Sequence, residues 1–263
     1  MSFEYAPRGF VGLLTPQANT TVEPECQILL PLGMGVINAR LTSSKPVIED
    51  RLVDYFDTLP ASLAQFADAP LRAVGVACTG SSYLYGKDRE DAIFQSLSRQ
   101  RGIHVTCSAL ATVDALHVLG AKRIGLVSPY PDKLLAHSVA YWQSRGFAVA
   151  AVAKVVATAA DHARYGSTNP VYALGSDAAL ASLQQLRGQS LDAIVMLGTG
   201  LPSLKSILQM PHLDGAPVIS CTLALAWRCA LAVEGEPLSA SSLRDWSSGA
   251  GWKSRWQARC VDA

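Results

Sequence analysis

The sequence has little charge and no long apolar segment. None of its apolar runs reaches the roughly 18 residues that a membrane-spanning helix needs, and residues 1–9 lack the apolar core of a signal peptide. Its 22 Lys and Arg residues nearly balance its 21 Asp and Glu residues, without a basic cluster. We therefore expect a cytoplasmic protein with neither a membrane nor a nucleic acid as its partner.

Metal-binding and nucleotide-binding patterns are also missing. The six cysteines include no C-x-x-C pair and no histidine partner at metal-ligand spacing, which argues against a zinc site or a disulfide framework. A nucleotide-binding glycine fingerprint is absent as well. We expect no cofactor. At 263 residues and 49% hydrophobic, the chain has enough apolar side chains for one large or two modest cores. A small molecule is the expected partner, and a homo-oligomer is possible.

One short pattern occurs twice. Residues 74–80 read V-G-V-A-C-T-G and residues 194–200 read I-V-M-L-G-T-G, so Cys78 in the first copy corresponds to Gly198 in the second. Two further pairs of segments repeat at nearly the same spacing: 11–16 with 124–129, and 105–108 with 219–222. The last pair sets Cys107 against Cys221, and we interpret these two as matched core residues. So long a period indicates two copies of one α/β unit.

The alternation of apolar and amphipathic segments predicts the elements of each copy. Short apolar runs followed by longer amphipathic segments are the βαβ pattern of a parallel sheet. We predict eight strands, four in each half, near residues 9–14, 35–41, 72–78, 103–106, 123–128, 147–155, 192–197 and 217–220. Helices are predicted near residues 22–32, 47–66, 88–101, 108–119, 132–145, 171–187, 202–209 and 222–233. We predict a first half over 1–120, a second over 121–233, and a C-terminal segment, 234–263, that packs back on the first half.

The segments at the carboxyl ends of the predicted strands indicate a binding site. Ligands of open parallel sheets bind at these ends, where helices present their N-terminal amides. The segments are rich in hydroxyls, amides and small residues, and contain no carboxylate, lysine or arginine: 15–21, 78–83, 128–130 and 198–200. Neutral donors of this kind bind carboxylates. The predicted carboxylate site includes Pro16, Gly80, Gly198, Thr199 and Gly200.

Three of these segments resemble the Asp/Glu racemase superfamily, in particular the branch that holds arylmalonate decarboxylase and maleate cis-trans isomerase. They read P-x-x-N-T-T at 16–21, C-T-G-S-S-Y-L-Y-G at 78–86 and T-G-L-P-S-L at 199–204, and the resemblance covers roughly residues 8–235. It implies two flavodoxin-like halves related by pseudo-symmetry, each with a four-stranded parallel sheet. It also implies a cofactor-free site in the cleft between them, where cysteine acts at the carbon next to a carboxylate.

The resemblance implies a role for individual residues. Cys78 matches the catalytic cysteine of the first half, whereas Gly198 stands where the racemases and the isomerase carry a second cysteine and where the decarboxylase carries its only one. Two-base racemisation is disfavoured, because it needs an acid-base group on each face. The resemblance also implies that the following residues bind substrate: Asn19, Thr79, Ser82, Tyr83, Tyr130 and His162. Asn19 equally fits the role of a helix cap.

A single cysteine leaves two chemistries open. Decarboxylation of a malonate needs neutral donors for the enediolate and one acid that protonates carbon, whereas isomerisation of maleate needs a thiolate that adds to the alkene. The segment 78–86 favours the decarboxylase, which is our leading hypothesis, and Asn19 with its neighbours favours the isomerase. A racemase and a non-enzymatic carboxylate-binding protein are two further hypotheses. The expected ligand in each case is a small carboxylate, and a dicarboxylate for the two leading chemistries.

Overall fold

The computed structural model describes residues 3–157, 159–165 and 170–260, and its framework is a pair of sheets. The strands of the first sheet are parallel and lie in the order β2-β1-β3-β4, with bounds β1 (Gly9–Pro16), β2 (Met34–Leu41), β3 (Leu71–Val76) and β4 (His104–Cys107). The second sheet has the order β6-β5-β7-β9-β8, with bounds β5 (Arg123–Ser128), β6 (Ala148–Lys154), β7 (Ala193–Met196), β8 (His212–Leu213) and β9 (Ala216–Ser220).

Helices flank both sheets. Those that follow strands of the first sheet are α1 (Val22–Leu29), α2 (Ile48–Asp57), α3 (Leu59–Ala64), α4 (Thr79–Tyr85), α5 (Lys87–Arg101) and α6 (Ser108–Val118). The later ones are α7 (Asp132–Ser144), α8 (Ala159–Tyr165), α9 (Pro170–Ala173), α10 (Ser176–Gln184), α11 (Leu204–Gln209), α12 (Cys221–Glu234), α13 (Ala240–Ser247) and α14 (Lys253–Arg259). Over the described ranges, none of these helices is long and apolar enough to span a bilayer.

The second sheet has five strands, and our prediction of four was wrong. All eight predicted strands are present, but β8 adds a short strand that pairs antiparallel with β9. Asp214 and Gly215 connect the two, and both have positive φ angles, of 50° and 88°. An Asp-Gly pair with two positive φ angles is the usual turn of a two-residue hairpin. The dipeptide was therefore a signal for this strand in the sequence.

The helices differ from the prediction in several places. The region predicted as one helix over 171–187 contains two helices, α9 and α10, and α8 was not predicted. The single helix predicted over 47–66 is two helices, α2 and α3, which meet at Thr58. The helix α4 was not predicted, although it starts directly after the strand-end Cys78 and ends at Gly86, whose φ of 82° suits a glycine. The C-terminal segment contains α13 and α14, while its residues 261–263 lie outside the described part of the chain.

Strand register corrects the alignment of the two halves. Ala73 pairs with Val11 in the first sheet, and Ala193 pairs with Ile124 in the second, so Cys78 corresponds to Gly198 as expected. Cys107, however, lies opposite Val76, and the equivalent partner of Met196 is Ser220. Cys107 therefore corresponds to Ser220, and Cys221 lies one residue further along. The interpretation of the two cysteines as matched core residues was wrong by one position, which in a strand exchanges the two faces.

The helix α12 joins the two halves. It follows the second sheet in sequence but packs on β1, β3 and β4 of the first, and on α1 and α6. Gly75 in β3 makes room for it: a Cβ at this position would lie 3.0 Å from Cys229 Sγ and 3.0 Å from Leu225 Cδ1. The segment after α12 packs on both sides of this junction, since α13 contacts β9 and α6 and Arg255 donates to the carbonyl oxygen of Ile28.

Substitution of Gly75 tests the packing of α12. We expect Gly75→Val to lower the free energy of unfolding by about 1–3 kcal/mol, because its methyl groups would enter the space of Leu225 and Cys229. Urea denaturation followed by circular dichroism measures this loss. Leu225→Ala should lower the free energy of unfolding less in the Gly75→Val background than in the wild type, because the smaller side chain makes room for the valine. If the losses in free energy of unfolding from the two substitutions simply add, residues 75 and 225 are not in direct contact.

Candidate active site

A cavity of about 630 Å³ opens at the carboxyl ends of both sheets. The segments that follow β1, β3, β5 and β7 line its base, while α2, α9 and residues 154–157 line its sides. Of the residues predicted from the sequence, the structure brings these to the cavity: Pro16, Asn19, Cys78, Thr79, Gly80, Tyr130, His162, Gly198, Thr199 and Gly200. The cavity therefore collects residues from two halves of the chain that are far apart in sequence.

Ser82 and Tyr83 do not line this cavity, contrary to our expectation. They lie in the first turns of α4, which directs them away from the cleft. The Ser82 hydroxyl lies 3.6 Å from Cys107 Sγ, and the Tyr83 ring packs edge-on against Tyr130 and Trp142. Their environment is that of packing residues behind the site.

Cys78 lies at the junction of β3 and α4. Its backbone is extended, with φ −140°, and its side chain is buried at 4% exposure. Burial raises the pKa of the Cys78 thiol, and this rise outweighs the opposite effect of hydrogen bonds from Ser81 and the Gly80 amide. The Ser81 hydroxyl lies 3.1 Å from Sγ. At neutral pH the thiol is therefore protonated, yet donors that would stabilise a thiolate surround it.

Gly198, the counterpart of Cys78, has a different backbone. Its φ is +84°, a conformation that side chains rarely adopt. A Cβ there would lie 3.0 Å from Pro129 Cγ and 3.3 Å from the Tyr130 hydroxyl. The register is symmetric at this pair, but only the first position begins a helix and has room for a side chain. This cavity is therefore built for one thiol.

Neutral hydrogen-bond donors surround the thiol. The Tyr130 hydroxyl donates to Thr79 Oγ1 at 3.4 Å, and the Thr199 hydroxyl donates to the carbonyl oxygen of Ala77 at 2.8 Å. Burial raises the pKa of Tyr130 well above its usual value, so its phenol stays protonated. These groups can donate to a carboxylate that enters the cavity, since hydroxyl donors reorient easily.

Asn19 is both a cap and a cavity residue. Its Oδ1 accepts hydrogen bonds from the amides of Thr21 and Val22 at the start of α1, at 2.8 and 3.1 Å. Its Nδ2 donates to Thr199 Oγ1 across the cleft at 3.2 Å. The capping role that the sequence left open is therefore present, together with a position at the cavity.

One face of α2 was not expected at the site. The side chains of Ile48, Arg51, Leu52 and Tyr55 line the cavity, with the i, i+3, i+4, i+7 spacing of one helical face. Burial raises the pKa of Tyr55 to about 12. The strand-end segments contain no lysine or arginine, but α2 contributes Arg51 to the cavity and the end of β6 contributes Lys154.

The cavity walls are mainly apolar. Tyr172 of α9 packs so closely on Gly200 that a Cβ there would lie 2.7 Å from the ring. The remaining aliphatic residues of the wall are Leu52, Leu134, Val155, Val171 and, at the mouth, Ile48 and Val156. Ile48 is 39% exposed and Val156 is 68% exposed. A ligand that extends to the mouth would cover them. Over the described ranges, His, Cys, Asp and Glu side chains form no group that could hold a metal ion.

A buried carboxyl group holds the segment behind Gly198 in place. Glu25 on α1 accepts hydrogen bonds from the Ser203 and Leu204 amides, at 2.6 and 3.3 Å, and from the Ser203 hydroxyl. Burial nevertheless raises the pKa of Glu25 to about 7 from an ordinary value of 4.5. The carboxyl group therefore connects α1 to the start of α11, directly after the segment 198–200.

Glu25 should make stability fall with rising pH. A folded pKa of about 7 against 4.5 in the unfolded chain means that the folded state binds the extra proton between these values. Its contribution is complete below pH 4.5 and is lost as the pH rises through 7, at no more than about 1.4 kcal/mol per pH unit. In urea denaturation, the free energy of unfolding of Glu25→Gln should rise relative to that of the wild type between pH 5 and pH 8. If the free energies of unfolding of the two proteins change in parallel with pH, the pKa of Glu25 is not raised.

Comparison with known proteins places the chain in a family. The family model described as arylmalonate decarboxylase matches residues 11–244. A maleate isomerase of Pseudomonas putida (strain KT2440) is 25% identical over 242 residues, 87% of this chain and 93% of the relative. A maleate isomerase of Geobacillus stearothermophilus is 23% identical over 231 residues, 83% of this chain and 89% of the relative.

Solved structures have the same fold. The maleate isomerase Iso from Pseudomonas putida S16 superposes with a TM-score of 0.76 at 24% identity, covering 92% of this chain and 99% of its own. A crystal structure of arylmalonate decarboxylase gives a TM-score of 0.70 at 16% identity, covering 87% and 93%. The family match, the two parallel-rich sheets and the cleft agree: the chain belongs to the arylmalonate decarboxylase and maleate isomerase family of enzymes, within the Asp/Glu racemase superfamily.

Proposed function

We propose that this enzyme decarboxylates substituted malonates without a cofactor, and that Cys78 is the acid that protonates the carbon. The observation that carries this proposal is the state of the thiol. Cys78 lies in the cavity, and burial raises the pKa of its thiol above the ordinary value, so a proton is available for transfer at neutral pH. A proton donor needs this state, whereas a nucleophile needs the thiolate.

The residues around Cys78 support each step of such a reaction. One carboxylate leaves as CO₂, and its bonding electrons remain on the substrate as an enediolate. The hydroxyls of Thr79 and Tyr130 can donate to the enediolate oxygens. The thiol of Cys78 then transfers its proton to carbon. The resulting thiolate is stabilised by Ser81 and the Gly80 amide until a proton from solvent restores it.

The size and polarity of the cavity support a malonate with a bulky apolar substituent. A cavity of about 630 Å³ is much larger than a three-carbon or four-carbon diacid needs. Aliphatic and aromatic side chains from α2, α9 and the segment after β6 form most of its wall. An aryl group fits such a wall, because burial of its surface contributes roughly 25 cal/mol per Å². Charged carboxylate is also less stable in apolar surroundings than neutral CO₂.

Isomerisation of maleate is the second candidate. The relatives from Pseudomonas putida and Geobacillus stearothermophilus are named maleate isomerases. A Nocardia farcinica maleate cis-trans isomerase with one cysteine replaced by serine carries a covalently bound succinylcysteine intermediate, at a TM-score of 0.73. A cysteine other than the replaced one therefore carries the intermediate in that protein. In this chain, Cys78 would add to the alkene as a thiolate, the carbon–carbon bond would rotate, and elimination would release fumarate.

Neither a racemase nor a non-enzymatic carboxylate-binding protein has comparable support. A racemase needs an acid-base group on the face opposite Cys78, and Gly198 supplies none there. A carboxylate-binding protein would have no use for a thiol at the base of its cavity. Decarboxylation and isomerisation are therefore the two reactions to distinguish by experiment.

Replacing Cys78 tests the central role. We expect Cys78→Ala to lower kcat/KM for phenylmalonate by more than about a hundredfold, or roughly 2.7 kcal/mol, because Cys78 is the one cysteine among the described residues that line the cavity. Proton NMR follows the formation of phenylacetate. Cys26→Ala, which removes a buried thiol outside the cavity lining, is the matched control. Retention of more than a hundredth of the activity would remove Cys78 from the mechanism. Conversion of maleate to fumarate, with no reaction of malonates, would establish the isomerase.

The handedness of the product is a further prediction. A single thiol protonates one face of the enediolate, so a prochiral methyl-substituted arylmalonate should give one enantiomer, as read by chiral chromatography. Moving the thiol with Cys78→Gly and Gly198→Cys should invert the product. The rate should be low, because position 198 has φ +84° and lies close to the Tyr130 hydroxyl. A racemic product from the wild type would show that water or a second group delivers the proton.

A further inference from the structure

Arg51 is a cationic side chain in a cavity whose reactive end is neutral. It lies on α2, one helical turn before Tyr55 on the same face. Both residues line the cavity, and its lining includes no aspartate or glutamate among the described residues. A cation was not expected here from the sequence. Arg51 is therefore the group whose charge the proposed reaction leaves unexplained.

The guanidinium of Arg51 has no carboxylate partner in the described part of the chain. Its Nε donates to the carbonyl oxygen of Lys45 at 3.2 Å, and its Nη2 donates to that of Pro46 at 3.3 Å. Of its five N–H donors, these bonds use two. Lys154, the other cation of the lining, differs because it forms an ion pair of 2.5 Å with Asp132. Arg51 can thus accept an anionic ligand without giving up an ion pair.

Burial along α2 places Arg51 nearer the cavity mouth than Tyr55, since Tyr55 is 3% exposed, Arg51 is half-buried and Ile48 is 39% exposed. The charge of Arg51 acts to lower the pKa of Tyr55 and of Tyr172, against the larger effect of burial. Both tyrosines also interact electrostatically with Cys78. On this face of α2 Arg51 therefore lies between the buried Tyr55 and the exposed Ile48, four residues or about 6 Å along the helix axis from Tyr55.

We propose that Arg51 selects malonates whose apolar substituent ends in an anionic group. The proposal rests on the decarboxylase function given above and names its substrate class: the malonate carboxylates lie at the neutral donors near Cys78, an aryl ring lies along the apolar wall, and a carboxylate on that ring meets Arg51. A guanidinium binds a carboxylate through two parallel hydrogen bonds, which favours this group over a neutral one of the same shape.

The test compares ligands that differ only in the charge of the ring substituent. The substrates are 4-carboxyphenylmalonate, its neutral carbamoyl isostere and phenylmalonate. The inert ligands are the corresponding arylacetates, with affinity measured by calorimetry. The wild type should favour the carboxylate over the carbamoyl compound by about tenfold or more, in KM and in Kd. Arg51→Gln should abolish that preference, while Arg51→Lys should restore part of it.

A matched control separates local recognition from net charge. Arg89→Gln removes the same charge from α5, where Arg89 pairs with Asp57 outside the cavity lining, and it should leave the preference unchanged. Equal losses for both arylacetates in Arg51→Gln would show that Arg51 only holds residues 45–46, and would overturn the proposal. A loss of kcat with phenylmalonate of a hundredfold or more would place Arg51 at the reacting carboxylates and would also overturn it.

The binding measurement keeps this inference distinct from the proposed reaction. If no malonate reacts but the arylacetate preference is present and depends on Arg51, the recognition of an anionic substituent holds and the decarboxylase fails. If malonates react and the preference is absent, the decarboxylase holds and the role of Arg51 fails.

Discussion

Several polar groups buried between the two sheets have hydrogen-bond partners in the opposite half, and the cleft depends on these bonds. Asn19 donates to Thr199, Thr199 donates to the carbonyl oxygen of Ala77, and Glu25 accepts from the segment before α11. A buried donor or acceptor left without its partner costs about 1–3 kcal/mol. The same bonds that lower this cost also fix the distance across the cleft. The positions of Thr79, Tyr130 and Thr199 are therefore properties of the fold and not of mobile loops.

The two halves place equivalent residues at the site, but the backbone conformation at these residues differs between the halves. Cys78 and Gly198 occupy equivalent places, yet the chain turns into a helix after the first and into a left-handed turn at the second. The helix start gives Sγ the amides of Gly80 and Ser81, while the turn brings backbone close to Pro129 and Tyr130. Chemistry at carbon is then restricted to one face. The restriction of the chemistry to one face follows from the backbone conformations at Cys78 and Gly198 as much as from the identity of these two residues.

The sequence predicted those features that depend on local patterns. The apolar runs located all eight main strands, and the repeat located Cys78 and its counterpart. The extra strand β8 had its signal in Asp214–Gly215, but a two-residue strand has no periodicity of its own. The match of Cys107 to Cys221 failed because a four-residue similarity does not fix the register of a strand, which the pairing of Cys107 with Val76 and of Ser220 with Met196 does. Ser82 was misplaced because α4 begins at once and turns its side chain away. The spacing of Arg51 and Tyr55 was visible, but which face of α2 meets the cleft is decided by tertiary packing.

The two candidate reactions make opposite demands on one sulfur atom. Decarboxylation uses the thiol as an acid, and burial in an apolar cavity both keeps it protonated and favours the release of neutral CO₂. Isomerisation uses the thiolate, so the same burial raises the free energy of the reactive form and only the nearby amides and Ser81 offset it. A fold hosts either chemistry, and its resemblance to known structures does not choose between them. The choice lies in the balance between desolvation and hydrogen bonding at Cys78, and in this structure desolvation is the larger of the two. An incoming dianion adds negative charge beside Sγ, which disfavours the thiolate further and favours the protonated acid.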